Sequence, residues 1–230
     1  MKKNKKVLIC VAHSDDETIG CGGTIAAHIK NKDQVFCAYM TDGVGARSSK
    51  KKEILIKERF KNSELASKIL GFVWLHQYCG NFPDNALDSV RFLDIVKKIE
   101  CVKKKIKPDI IYTHNPSDLN IDHKIVAEAT LTAFRPMAGE TWQKILAFEV
   151  PSSTDYGYFK KNNIFVPNYF NNIEPYWNKK NKALLAYKNE IKKYPNSRSL
   201  KGIKSLAYLR GSQNGIKMAE AFQILKEIKR

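Results

Sequence analysis

Long apolar runs are missing from this 230-residue sequence. No uncharged stretch approaches the ~20 residues of a transmembrane helix, and mean hydropathy is −0.42. No two cysteines stand at C-x-x-C spacing, and the five present are scattered and odd in number. That excludes a disulfide framework and suits reduced thiols. Cys10, Cys37 and Cys101 fall inside apolar runs and are expected in the core. The start, MKKNKK, leads into a run closed by HSDDE, too polar for the h-region of a signal peptide, so the chain reads as cytoplasmic. Also missing are the G-x-G-x-x-G spacing, the P-loop lysine and a nucleophile elbow. Their absence weakens a non-catalytic Rossmann-like nucleotide-binding module, the rival reading for GCGG after a strand, and a Ser or Cys hydrolase still more. Acidic residues are scarce, 23 against 40 Lys and Arg, for a net charge of +17. The lysines are dispersed, however, and no zinc finger, RRM signature or basic-helix repeat is visible. Nucleic acid is therefore not expected as the partner, and an anionic small substrate suits the charge equally well.

Strand-like and helix-like segments alternate. KVLICVA (6–12), QVFCAYM (34–40), FVWLH (72–76), DIIYTH (109–114) and KILAFEV (144–150) read as strands. Helical spacing is expected over 22–31, opening on the glycines, and over 51–70, 86–106 and 122–134. This alternation predicts an α/β, Rossmann-like fold: a mostly parallel sheet with helices on both faces. Beyond Pro151 the pattern changes to aromatic, turn-rich segments and two helical stretches, 178–193 and 215–228. With no linker in between, residues 1–230 read as one domain. Its core spans about 7–150, and its tail, 151–230, packs on that core and completes the substrate pocket.

The chemistry gathers where two strands end. His13, Asp15, Asp16 and Glu17 follow the first strand; His114 closes the fourth, and Asn120, Asp122 and His123 stand in its loop. Ligands of open parallel sheets bind beyond the carboxyl ends of the strands, so two remote segments deliver imidazoles and carboxylates to one edge. These are zinc ligand types. His13 and Asp16, three apart in a turn, can face one ion with His123 as third ligand. Asp15 is then left as a free carboxylate beside activated water, as a general base requires. The competing reading of Asp15 or Glu17 is a helix cap. His28, mid-helix, and His76, without an acidic companion, are assigned to no metal.

AHSDDETIGCGG resembles the AHPDDE signature of the PIG-L (LmbE-like) N-deacetylases with its following Gly-Gly turn. YTHNPSDLNIDHKIVAEATLTAFRP resembles their second metal motif, which ends in Asp-His; TDG, RFKNSELASKILG and NFPDNALD fall in family order. The resemblance implies one Zn2+ per chain, replaceable by other divalent ions, on His13, Asp16 and His123, with Asp15 as base. It also implies substrate contacts from Arg59 and Asp84, whose plainer readings are a solvated helix charge and a turn former. Two departures stand out. Ser14 replaces the signature's proline. Asn120 replaces a histidine that stabilises the oxyanion or protonates the amine, so His114 or Asn120 is expected to take that work.

The implied substrate is a small N-acetylated amino sugar of the GlcNAc type, free or nucleotide- or lipid-linked, as in bacterial surface-glycan biosynthesis. A GlcNAc-containing thiol or antibiotic precursor is the alternative. In the tail, Arg198, Lys201 and Arg210 are candidate phosphate contacts, and Tyr156, Tyr169 and Trp177 are a candidate sugar platform or core. A homo-oligomer is left open.

Overall fold

The structure, a computed structural model, describes residues 4–44, 52–157 and 164–229. Lys51 of the second expected helix and Tyr158 and Phe159 of the tail lie outside them. Among the described residues, seven strands form one sheet: β1 (Lys6–Val11), β2 (Gln34–Tyr39), β3 (Val73–Trp74), β4 (Ile110–His114), β5 (Lys144–Phe148), β6 (Tyr169–Asn172) and β7 (Ala219–Glu227). Six helices flank it: α1 (Asp16–Lys30), α2 (Lys52–Leu70), α3 (Phe92–Ile106), α4 (Ile121–Ala133), α5 (Trp177–Ala186) and α6 (Leu200–Ser212). None of these helices is long and apolar enough to cross a membrane.

The strand order is β3-β2-β1-β4-β5-β7-β6. The first five strands pair in parallel; β7 runs antiparallel between β5 and β6. β1 carries β2 on one side and β4 on the other, so the chain order reverses there. This is the switch point at which an open α/β sheet leaves a crevice. Both faces are covered, which is why β1 can be apolar at successive positions. Its side chains alternate between two cores. Val7, Ile9 and Val11 pack with Ile25 of α1, Leu70 of α2 and Leu184 of α5, whereas Leu8 and Cys10 pack with Ile99 of α3 and Val126 of α4.

The glycines after HSDDE do not open α1. The helix starts at Asp16, so Gly20, Gly22 and Gly23 lie in its interior. Their role is close approach. A Cβ on Gly20 would stand 2.2 Å from the Phe148 ring, one on Gly22 3.0 Å from the Lys180 stem, and one on Gly23 2.6 Å from Ile173. Phe148 of β5 and the tail residues Ile173 and Lys180 fill this slot, and the tail clamps it with a buried ion pair, Lys180 Nζ to Glu220 Oε1 at 2.6 Å. Lys180 also donates to the Ile19 carbonyl (2.7 Å), and Glu220 accepts from the Gly23 and Thr24 N–H groups (2.8 and 2.7 Å). Charges that cannot reach water are thereby paired and hydrogen-bonded.

Other expectations need correction. Residues 215–228 are not helical: Ala, Glu and Leu favour a helix locally, but hydrogen bonding to strands on both sides makes 219–227 the strand β7. The expected helix 178–193 stops at Ala186, where Tyr187 turns inward to Glu17. Helix α6 was hidden by two glycines, and Ser199 caps it through a bond from the Gly202 N–H (2.9 Å). FVWLH keeps only two strand residues before a 3-10 turn at His76–Tyr78. Cys101 is exposed on α3, away from the core that holds Cys10 and Cys37.

Helix propensity favours Ala over Gly by about 1 kcal/mol. Gly20→Ala and Gly23→Ala are nevertheless expected to destabilise the fold, by about 1–3 kcal/mol each, because the added methyl meets fully packed side chains. Denaturant midpoints check this; an unchanged or raised midpoint would show that Phe148 of β5, for Gly20→Ala, or Ile173 of the tail, for Gly23→Ala, does not pack this closely on α1.

Candidate active site

Both β1 and β4 end at the crevice, and one hydrogen bond joins them: the Ala12 N–H donates to His114 Nε2 at 2.9 Å. Helix α1 then begins at Asp16 and α4 at Ile121, so two helix N-termini face the same space. The partial positive charge there favours anionic side chains.

Asp16 stands at the centre. Its Oδ2 accepts from the His13 N–H (3.0 Å) and lies 3.2 Å from His13 Nδ1, 3.3 Å from His123 Nε2 and 3.5 Å from His114 Nε2. His13 Nδ1 and His123 Nε2 are 3.2 Å apart. These three atoms, from His13, Asp16 and His123, form a triangle with sides of 3.2–3.3 Å. Ligand atoms bound at 2.0–2.1 Å around a tetrahedral ion lie about 3.3–3.4 Å apart. The donor set therefore fits zinc in both chemistry and spacing.

Each imidazole is backed on its far side by a carboxylate. His13 Nε2 lies 3.0 Å from both Asp122 Oδ2 and Asp84 Oδ1; His123 Nδ1 lies 3.1 Å from Asp118 Oδ2, off the line of an ideal hydrogen bond. Such partners fix ring orientation and tautomer in metal sites. Asp122 also accepts from the Asn85 and Leu87 N–H groups (2.7 and 3.0 Å), drawing the loop that carries Asp84 over the site. Asp118 went unread in the sequence. It accepts from Ser153 Oγ and from Thr154 Oγ1 (2.8 Å), which come from the segment after β5. The one signal for it was its place in the loop between His114 and His123.

The field selects for positive charge. Burial alone would depress the His123 imidazole, but Asp16 and Asp118 outweigh it and push it up to about 9. His13 is raised well above its usual value against the same burial, chiefly by Asp122, Asp16 and Asp84. His114 goes the other way: burial, with His123 adding to it, holds it well below the usual range.

Asp15 sits beside this cluster in a rare backbone conformation, φ 143° and ψ −28°. Its N–H donates to Glu17 Oε2 (3.0 Å), and its carbonyl accepts from Thr18 and Ile19. Glu17 is in turn held by Thr18 Oγ1 and the Tyr187 hydroxyl, and burial pushes it up to about 7. Asp15 does not cap α1 with its side chain. Its Oδ2 is buried without a hydrogen bond and lies between two guanidiniums, Arg59 Nη1 at 3.9 Å and Arg198 Nη1 at 3.8 Å. Burial raises its carboxyl, with Arg59 and Arg198 pulling back.

Arg59 is not a solvated helix charge: its side chain is only 11% exposed, donating through Nε to Gly43 O and pairing with Glu190 at 3.2 Å. Asn120 caps α4. Its Oδ1 accepts from the Asp122 and His123 N–H groups (2.9 and 3.3 Å), and its Nδ2 donates to Asn85 Oδ1 (3.3 Å). His114 is fully buried, stacked on His123 with centroids 3.9 Å apart, and its Nε2 is taken by Ala12. The geometry thus gives both residues positioning contacts; His114 is closed off from solvent, whereas Asn120 is partly exposed.

The three tail cations do not converge. Arg198 reaches the site, Arg210 forks onto Glu149 (2.8 and 2.7 Å), and Lys201 lies over the Tyr194 ring at 4.2 Å. Nor do the tail aromatics form a platform: Trp177 and Tyr169 pack against the core, and Tyr156 is half exposed. His28 bonds Asp33 and Tyr112, and His76 packs on Phe60 and Trp74, both away from the cluster.

Two stability outcomes follow. Relief of backbone strain should make Asp15→Gly more stable by about 1 kcal/mol in the metal-free protein. Asn120→Ala should lose about 1 kcal/mol through the missing cap. Denaturant unfolding reads both, and a destabilised Asp15→Gly would contradict the strain.

Comparison with known proteins agrees with this architecture. Residues 8–134 match the family model PIG-L: GlcNAc-PI de-N-acetylase. The uncharacterized deacetylase YaiS of Escherichia coli (strain K12) is 30% identical over 157 residues, 66% of this chain and 77% of YaiS. The N,N'-diacetylchitobiose deacetylase of Pyrococcus horikoshii, solved with its inhibitor MPG, superposes with a TM-score of 0.76 at 20% identity, covering 96% of this chain and 84% of its own. GalB, the 4-carboxy-2-hydroxymuconate hydratase of Pseudomonas putida KT2440, also gives 0.76, at 19% identity and 98% coverage of both chains. Two proteins with different reactions thus share this fold equally well, and fold likeness alone does not choose between them. The sequence matches do: the chain belongs to the PIG-L family of GlcNAc-PI de-N-acetylases and is a deacetylase by that membership.

Proposed function

We propose that the protein is a zinc-dependent N-deacetylase that hydrolyses the acetamide of a GlcNAc-type amino sugar. The observation that carries this reading is the triangle of His13 Nδ1, Asp16 Oδ2 and His123 Nε2 beside a buried Asp15 oxygen that has no hydrogen bond. Those three residues would hold the ion. When bound there, zinc supplies Lewis acidity, acidifying water toward a pKa of ~7 and polarising an amide carbonyl.

The chain's own residues supply the rest. Asp15 is the general base: its Oδ2 takes a proton from the attacking water and later gives it to the departing nitrogen. Glu17 and the start of α1 hold its backbone in place for that exchange. Asp84, Asp118 and Asp122 orient the two imidazoles, and His114 ties the two strand ends together. A cavity of about 280 Å³ lies behind the loops that brace Asp118 and Arg198, lined by neither of them nor by the triangle. Its walls include Ser117, Thr154, Pro151 and Ser197, next to the partners of Asp118 and Arg198. We assign the sugar to this side, so that residues 151–229 form part of the same domain and complete its pocket. A nucleotide- or lipid-linked sugar of surface-glycan synthesis is the substrate class proposed, with a thiol or antibiotic precursor as the alternative carrier.

The test is acetate release from a panel of free and nucleotide-linked N-acetylated sugars. Chelation should abolish release, and zinc should restore it. Asp15→Asn should keep one zinc per chain while turnover falls at least ~100-fold; full activity in that variant would remove Asp15 from the mechanism. Asp118→Asn should weaken zinc affinity about 10–100-fold, read by chelator competition. Unchanged affinity would mean that Asp118 only braces the loop.

A further inference from the structure

The hydrolysis assigned above needs a donor for the negative charge that develops on the carbonyl oxygen, and the two side chains expected to provide it already make positioning contacts. Asn120 gives its Oδ1 to the α4 cap and one Nδ2 N–H to Asn85, and His114 is fully buried, its Nε2 accepting from Ala12 and its Nδ1 shut off from solvent. Arg59 donates through Nε to Gly43, and its Nη1 lies between Glu190 (3.2 Å) and Asp15 (3.9 Å), paired with the first.

Arg198 is placed differently. It precedes Ser199, the cap of α6, and its N–H is fixed to Asn196 Oδ1 (2.8 Å). Its Nε donates to the Pro151 carbonyl at 3.3 Å, which anchors the guanidinium on one side. The other two nitrogens span the reaction centre, Nη1 3.8 Å from Asp15 Oδ2 and Nη2 3.7 Å from Asp16 Oδ1, too far to be hydrogen bonds. Its side chain is 20% exposed, whereas Asp16 and His114 are at 0%. The result is a fixed, always-charged fork beside the base, partly open to solvent, whose Nη groups carry no hydrogen bond among the described residues.

We infer that Arg198 is a catalytic residue: it holds the oxyanion of the tetrahedral intermediate and replaces the histidine missing at position 120. The inference rests on the deacetylase reading. As the water oxygen bonds to the acetyl carbon, the carbonyl π pair moves onto the carbonyl oxygen, where the Arg198 Nη groups meet it, and Asp15 takes the water proton. When the pair returns, the carbon–nitrogen bond breaks and the Asp15 proton passes to nitrogen, giving the amine and acetic acid. Donors aimed at charge that exists only in the transition state raise kcat rather than ground-state affinity.

The test compares wild type, Arg198→Ala and Arg198→Lys, all zinc-loaded. The probes are N-acetylglucosamine and the methylphosphonamidate of glucosamine, a tetrahedral mimic with an anionic oxygen. In Arg198→Ala, kcat and affinity for the mimic should both fall ~100–1000-fold. Affinity for N-acetylglucosamine should stay within about threefold, and free guanidinium should restore part of kcat. Arg198→Lys keeps the charge but not the fork and should weaken the mimic at least ~10-fold; it also covers the case in which the alanine variant fails to fold. Equal weakening of both probes would make Arg198 a ground-state contact, and no weakening of the mimic would remove it from the site; either overturns the inference alone. Wild type that releases no acetate and binds neither probe would overturn the deacetylase reading together with it.

Discussion

One carboxylate oxygen organises this protein. Asp16 Oδ2 takes the His13 N–H and lies within 3.5 Å of three imidazoles, one from the turn after β1, one from the end of β4 and one from α4. A buried anion facing so many nitrogens is stable only if they bring positive charge, as protonated rings or as a bound cation. The surrounding Asp84, Asp118 and Asp122 press in the same direction. The molecule as a whole is strongly basic, yet its crevice is the reverse. Net charge describes what the surface attracts and says little about the site.

The sheet makes this concentration possible. β1 is flanked by β2 and β4, so segments about 100 residues apart end side by side, and the bond from Ala12 to His114 locks that adjacency. Two helices start there, and their N-termini help to hold carboxylates ionised in a desolvated pocket. The tail enters the same structure through the glycine face of α1, where Ile173 and the Lys180 stem, beside Phe148 of β5, occupy the space that side chains would fill. Close packing of α1 and placement of Arg198 over Asp15 are thus linked: both depend on residues 151–229 docking against the first motif.

Strain is part of the design. Asp15 holds a backbone conformation that suits glycine, and Glu17, itself buried and bonded to Tyr187 of the tail, grips its N–H. Backbone strain of this kind persists only where the surrounding structure sustains it, and under the proposed mechanism it aims the general base.

Much of this was legible in the amino-acid order. The apolar runs that became β1, β2, β4 and β5, the helical spacing of α2, α3 and α4, and the two clusters around His13 and His123 each have a local signature, because periodicity and ligand type are written residue by residue. The tail was not: AEAFQILKE has helical composition and became a strand because β5 and β6 offered hydrogen-bond partners on both sides. Position 120 carried a polar amide that suited an oxyanion equally well, until the direction of α4 committed it to the cap. Asp118 lay unread inside the second motif, and Arg198 had no motif of its own. Burial, partner choice and the distance between remote side chains are properties of the packed chain, so tertiary structure alone decided which charges face the crevice and which are spent holding it open.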